Sequence, residues 1–189
     1  TMDSVGVRYK GNSTFWWAQI LGSPKFPFNI DFDLIHEDQD LLGYNKVKLS
    51  NSIFDPTFVK ESIGYLTEGH YLPTSDVGYM NVSVYGELLG LYVSVESVNK
   101  PFLTKHFGNN EGAFFKCEPQ FHYGEDYAYD AWPDLRWYGE DSTEYAYQMG
   151  YELKSESGWS DLLDLIYTLN FDIDNIENIL NVDRALWYF

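Results

Sequence analysis

Residues 10–14, Lys10-Gly11-Asn12-Ser13-Thr14, place a cation beside a glycine and two hydroxyls. A loop of that kind can lie over phosphate oxygens, because exposed backbone N–H groups and an ammonium both favour an anion. An ordinary turn between two strands is its default reading. Asp31 and Asp33 stand two apart in an alternating stretch. They share one strand face and can hold a cation, with a solvated face as the default. His36, His70, His106 and His122 show no metal-ligand spacing. Asn12-Ser13-Thr14 and Asn81-Val82-Ser83 match the glycosylation sequon, the second inside a strand pattern. Neither a Gly-x-Ser-x-Gly elbow nor a Walker loop occurs.

These residues need elements to hold them. Residues 5–9 alternate and lead into the 10–14 turn. Trp16, Trp17, Ile20 and Leu21 read as an apolar patch in a connection. Phe28, Ile30 and Phe32 alternate with Asn29, Asp31 and Asp33, which predicts a second strand. Residues 46–49 give a short third one. Asp55-Pro56 predicts a helix start, a capping carboxylate followed by proline, with Val59, Ile63 and Leu66 on its inner face. In residues 77–96, Met80, Val82 and Val84 alternate with polar neighbours, as do Leu91, Val93 and Val95. The break at Tyr85-Gly86-Glu87 makes this a β-hairpin. Pro101 opens a short helix ending at Gly108, and residues 113–116 look strand-like. Residues 118–152 read as a long irregular acidic and aromatic insert. Two helices are expected after it, one over 159–170 and one capped by Asp172 with Ile173, Ile176 and Leu180 inward.

The chain has 189 residues and a formal net charge of −17. Such a surface disfavours nucleic acid and anionic membranes and suits a basic partner. No apolar run approaches the ~18 residues that span a bilayer. One cysteine, Cys117, excludes an internal disulfide framework. The chain ends on the apolar run Leu186-Trp187-Tyr188-Phe189 with no stop signal, so we expect further sequence beyond it.

Order along the chain adds a resemblance. Gly6-Val7-Arg8-Tyr9-Lys10-Gly11-Asn12-Ser13 resembles the GxRxxGNS signature of the CotH family, the spore-coat protein H kinases. Pro24-Lys25 and an alternating strand follow, then a helix introduced by Asp55. Gly90-Leu91-Tyr92-Val93-Ser94-Val95-Glu96 is similar to the family's GxYxxxE, and residues 112–116 to its Gly-x-x-(Tyr/Phe)-Lys element. The chain departs from the family in having no Arg between Thr14 and Ser23.

The resemblance implies an α+β, atypical protein-kinase-like fold. An antiparallel N-lobe with one packed helix would occupy residues 1–98. A hinge and an incomplete helical C-lobe would occupy 99–189. ATP with Mg²⁺ is the implied cofactor. Lys10, Gly11, Asn12 and Ser13 would form the phosphate loop, and adenine would dock at the connector starting with Glu96. Lys25 and Lys116 both fit the lysine that reaches phosphate, and Glu61 would orient it by an ion pair. Both catalytic aspartates would lie after residue 189, and Asp183 is no substitute. The chain alone is then expected to be inactive, while its parent would phosphorylate Ser or Thr of basic, Ser-rich proteins at an extracellular, cell-surface or spore-surface location. The alternative is a non-catalytic adhesin or attachment module holding glycan or protein on aromatic and acidic loops. A glycosidase needs two acids at set distances, and nothing selects a pair.

Overall fold

A computed structural model describes residues 1–118 and 132–188. The chain is α+β and divides into two compact units, Thr1–Gly108 and Asn109–Phe189.

The first unit is built on a five-stranded antiparallel sheet in the order β1-β2-β3-β5-β4. Its strands are β1 (Gly6–Tyr9), β2 (Phe28–Asp31), β3 (Lys46–Ser50), β4 (Val77–Val84) and β5 (Glu87–Glu96). Alternation accounts for the core. Phe32, Val47, Leu49 and Tyr92 are buried together, with Phe28, Ile30, Met80 and Val82 against them. The predicted hairpin forms, turning at Tyr85 and Gly86 with φ of 51° and 84°. Two consecutive left-handed residues match the twist of the flanking strands. The register differs from the simple apolar-in reading. Met80 pairs with Tyr92 and Tyr79 with Val93, so the apolar sets of the two strands lie on opposite faces. Strand β5 can afford this because it is central, and Tyr92 through Glu96 are all buried.

Three helices accompany the sheet: α1 (Ser13–Ile20), α2 (Lys60–Glu68) and α3 (Lys100–Phe107). Helix α1 replaces the expected turn and connection after β1. Its residues are apolar on most sides and only Ala18 is buried, so no helical stripe marks it in the sequence. Helix α2 begins later than Asp55-Pro56 suggests. Asp55 accepts from Lys60 N at 2.8 Å and Thr57 N at 3.1 Å, but Phe58 at φ 61° breaks the helical path between them. The expected inner face of α2 is also corrected: Val59, Ile63 and Leu66 are exposed, and Ser62 is buried instead. Its hydroxyl meets Tyr79 Oη at 2.6 Å, which places α2 on the sheet face that carries Tyr79. Helix α3 starts where expected. Asn99 accepts from Phe102 N, Pro101 sits in the first turn, and Gly108 closes it at φ 82°.

The second unit pairs β6 (Phe115–Cys117) with β7 (Tyr151–Leu153). Between them runs the insert, whose residues 119–131 lie outside the described residues. Its later part is ordered rather than irregular, since it contains α4 (Tyr145–Gly150) and β7. Tyrosines hold it. Tyr147 Oη accepts from Tyr138 N at 2.9 Å and donates to Gly139 O, and Tyr151 Oη accepts from Leu135 N at 2.8 Å. Tyr147, Tyr151, Leu162 and Ile166 form the core. Helix α5 (Trp159–Phe171) supplies the last two. The helix expected after Asp172 is instead a 3-10 turn (Ile173–Asn178) and a separate α6 (Val182–Leu186). Asp172 makes no side-chain cap, and Ile173 points outward.

Candidate functional site

Strand β3 organises the polar residues of the first unit. Val47 and Leu49 turn into the core, which leaves Lys46, Lys48 and Ser50 on the other face. Lys10 reaches that face from the loop after β1. Its Nζ donates to Ser50 Oγ at 3.0 Å, and Ser50 Oγ donates to Glu61 Oε1 at 3.0 Å. One hydroxyl thus relays a cation from the loop to a carboxylate on α2. Burial pushes the Lys10 pKa down; Glu61 opposes that and Lys48 adds to it. The loop itself is tight. Gly11 sits at φ 75°, where a Cβ would meet Thr14 Oγ1 at 2.8 Å, so the loop needs glycine.

Lys25 stands differently. Its Nζ lies 4.2 Å from the centroid of the Phe58 ring and 4.9 Å from that of Tyr92. No carboxylate pairs with it among the described residues. Burial lowers its pKa with no opposing charge. Asn51 joins the two lysine-bearing segments. Its Nδ2 donates to Lys25 O at 3.0 Å and to Thr14 O at 3.4 Å. Asn51 Oδ1 and Tyr92 Oη are buried without a hydrogen-bond partner among the described residues.

Glu96 ends β5 and is 7 % exposed. Its Oε2 accepts from Asp76 N and from Lys105 Nζ, each at 3.0 Å. Lys105 also pairs with Asp76, which accepts from Tyr44 Oη at 2.6 Å. These groups border a cavity of about 290 Å³, lined also by Asn45, Lys46, Ser97 and Asn99. Glu96 therefore braces the connector into α3, and it shares the Lys105 cation with Asp76.

The structure brings Lys10 and Glu61 together and ties Lys25 to the same loop through Asn51. Lys116 lies on β6 in the second unit, paired with Glu118. Glu61 therefore meets Lys10, through Ser50, and forms no ion pair with Lys25 among the described residues. The sequence reading missed Ser50, Asn51 and Lys48. Strict alternation in residues 46–50 was the signal that could have placed two of them on the polar face. Asp31 pairs with Lys46 at 2.6 Å, while Asp33 accepts from the Asn45 amide.

The family model described as CotH kinase protein matches residues 7–189. The chain belongs to the CotH family. Within this CotH chain the match runs from Val7, the second residue of β1, to the end of the given sequence. No curated protein matches it significantly. No helix among the described residues is long and apolar enough to cross a membrane. The first unit of the CotH chain fits the polyphosphate of a nucleotide in one respect: Lys25 is a partly buried cation with no carboxylate paired to it among the described residues, near Asn51 and Tyr92, each of which has a buried polar atom without a partner there. Among the described residues no group of three or more His, Cys, Asp or Glu is placed to hold a metal ion.

Proposed function

We propose that this chain carries the nucleotide-binding part of an atypical, protein-kinase-like CotH phosphotransferase acting at an extracellular or surface location. The observation that carries the reading is Lys25. A partly buried cation that rests on aromatic faces, with no carboxylate paired to it among the described residues, still lacks a charge to neutralise it, and a phosphate supplies one. Lys10 is held by Ser50 beside Glu61, which fixes the loop over the sheet rather than leaving it to solvent. The sheet offers the right span. Val47 lies opposite Glu96 at the connector and Ser50 opposite Val93, so the two ends are roughly 10 Å apart along β3. That separation suits adenine at the connector and phosphates near the 10–14 loop. ATP would supply the transferable phosphoryl group. In the parent protein that group would pass to Ser or Thr of basic partners, which the acidic surface favours. Ser97 and Asn99 would orient the base, Asn51 would hold the loop, and Lys25 would bind phosphate oxygen.

Thermal unfolding of the full-length protein with and without ATP and Mg²⁺ tests this. A bound ligand raises the melting temperature by mass action. Lys25→Met is expected to lose that rise and Lys116→Met to keep it. Persistence of the full rise in Lys25→Met would remove Lys25 from the site.

A second reading has its own observation. On the second unit Trp137 packs edge to face with Tyr167 and Phe171, which are tilted against each other and 47 % and 62 % exposed. Exposed rings of this kind anchor glycan or protein, as a non-catalytic attachment module would need. Retention on a polysaccharide column with no ATP-dependent melting shift would favour it.

A further inference from the structure

The segment between β3 and α2 holds a strained residue. Phe58 sits at φ 61°, in the left-handed region that a bulky side chain rarely adopts and glycine adopts freely. Hydrogen bonds fix it from both sides. Phe58 N donates to Asp55 O at 3.1 Å, and Phe58 O accepts from Tyr79 Oη at 2.9 Å. Both anchors are themselves held. Asp55 is buried, and its carboxylate accepts from Thr57 N and Lys60 N. Tyr79 Oη also meets Ser62 Oγ on α2. A strained conformer persists only where its surroundings over-determine it, and such residues cluster at ligand sites.

What the turn presents is a ring. The Phe58 centroid lies 4.2 Å from Lys25 Nζ, nearer than that of the buried Tyr92 at 4.9 Å. The Lys25 main chain is fixed as well. Its N–H donates to Ser23 Oγ at 3.2 Å, and its carbonyl accepts from Asn51. With both backbones pinned, the rings decide where the ammonium stands, because an aromatic face attracts a cation and an aliphatic group of like bulk does not. We propose that Phe58 is a positioning residue: the strained turn holds its ring where it steadies the Lys25 ammonium for a phosphate. Tyr92 completes the slot from the core. It is also the titratable group that faces Lys25, and its hydroxyl keeps its proton until about pH 12. The consequence for a ligand rests on the nucleotide reading above; the consequence for Lys25 itself does not.

Two readouts on the full-length protein test this. The first is the pH profile of Lys25 acylation by an acetyl N-hydroxysuccinimide ester, followed by peptide mass spectrometry without nucleotide. Phe58→Leu keeps apolar bulk and removes the aromatic face. The ammonium then loses a stabilising contact, so the profile should move down by roughly half a pH unit. Phe58→Tyr should restore it. The second readout is the melting-temperature rise with ATP and Mg²⁺. It should report about fivefold weaker ATP binding in Phe58→Leu and recovery in Phe58→Tyr. An unshifted acylation profile in Phe58→Leu would overturn the proposal. So would ATP binding that is unchanged there, or tighter, since a ring that competes with phosphate for Lys25 does not position it. An ATP effect missing from the wild type would overturn the nucleotide reading, and the acylation profile would still decide the role of Phe58.

Discussion

Asn51 holds Lys25 by the main chain: its Nδ2 donates to the Lys25 carbonyl at 3.0 Å, and Asn51 is 3 % exposed. The same amide reaches Thr14 O, so one side chain fixes the start of α1 and the approach to β2. Asn51→Ala leaves a carbonyl without its donor in a place water reaches poorly. Urea unfolding is expected to show a loss of about 1–3 kcal/mol. A cost near zero would mean that the two segments hold their places without Asn51.

Tyr92 predicts an alkaline limb. Burial pushes its pKa up to about 12 from the ordinary 10.0. The folded state therefore keeps the proton longer than the unfolded chain. Stability from this group is complete below pH 10 and is lost as pH rises through about 12. Tyr92→Phe should flatten that decline, though part of it stays because burial also raises Tyr151 to about 12. Removing a buried hydroxyl with no partner should also leave neutral-pH stability equal or higher by roughly 1 kcal/mol. Denaturant midpoints measured across alkaline pH check both.

Asp76 contributes on the acid side, together with Asp33, Asp55 and Asp141, whose carboxyls are also held below the ordinary value. The hydrogen bond from Lys105, and then that from Tyr44, hold the Asp76 carboxyl below the ordinary value of 3.8. Its contribution is present above the ordinary carboxylate range and disappears as pH falls through the lower folded value. Asp76→Asn should shallow the acid unfolding curve followed by circular dichroism. An unchanged curve would show that Lys105 and Glu96 suffice to brace the connector.

Gly158 tests the second unit. It sits at φ 146°, and a Cβ there would lie 2.7 Å from Ala113 Cβ. Both backbone strain and a backbone-anchored clash oppose any side chain. Gly158→Ala is expected to lower stability by roughly 1–3 kcal/mol. Near-ultraviolet circular dichroism, which senses Trp159 packed on Phe115 beside this turn, should report the loss.

Much of the scaffold was legible because it rests on local rules. The hairpin was written in alternation around Tyr85-Gly86, and α3 in Asn99, Pro101 and Gly108. Helix α1 was not, since Phe15, Trp16, Trp17 and Ile20 give no polar face to set a period. The outward Ile63 and Leu66 misled for the opposite reason: a helical stripe signals amphipathicity, and burial depends on what packs there. Tyr147 and Tyr151 lie in the segment that reads as an irregular insert, and their hydroxyls are pins that order its described part.

By itself the sequence determined the family, the strand-forming segments, the tight turns and the acidic balance, because each follows from neighbours within a few residues or from composition. Tertiary structure alone decided which lysine meets Glu61. Lys10 and Ser50 are 40 residues apart, and Ser50 and Glu61 eleven. Their meeting depends on sheet register and on which face α2 covers, and a one-residue slip would turn Ser50 to the opposite side. The same register placed Lys25 against Phe58 and Tyr92 and left it without a carboxylate.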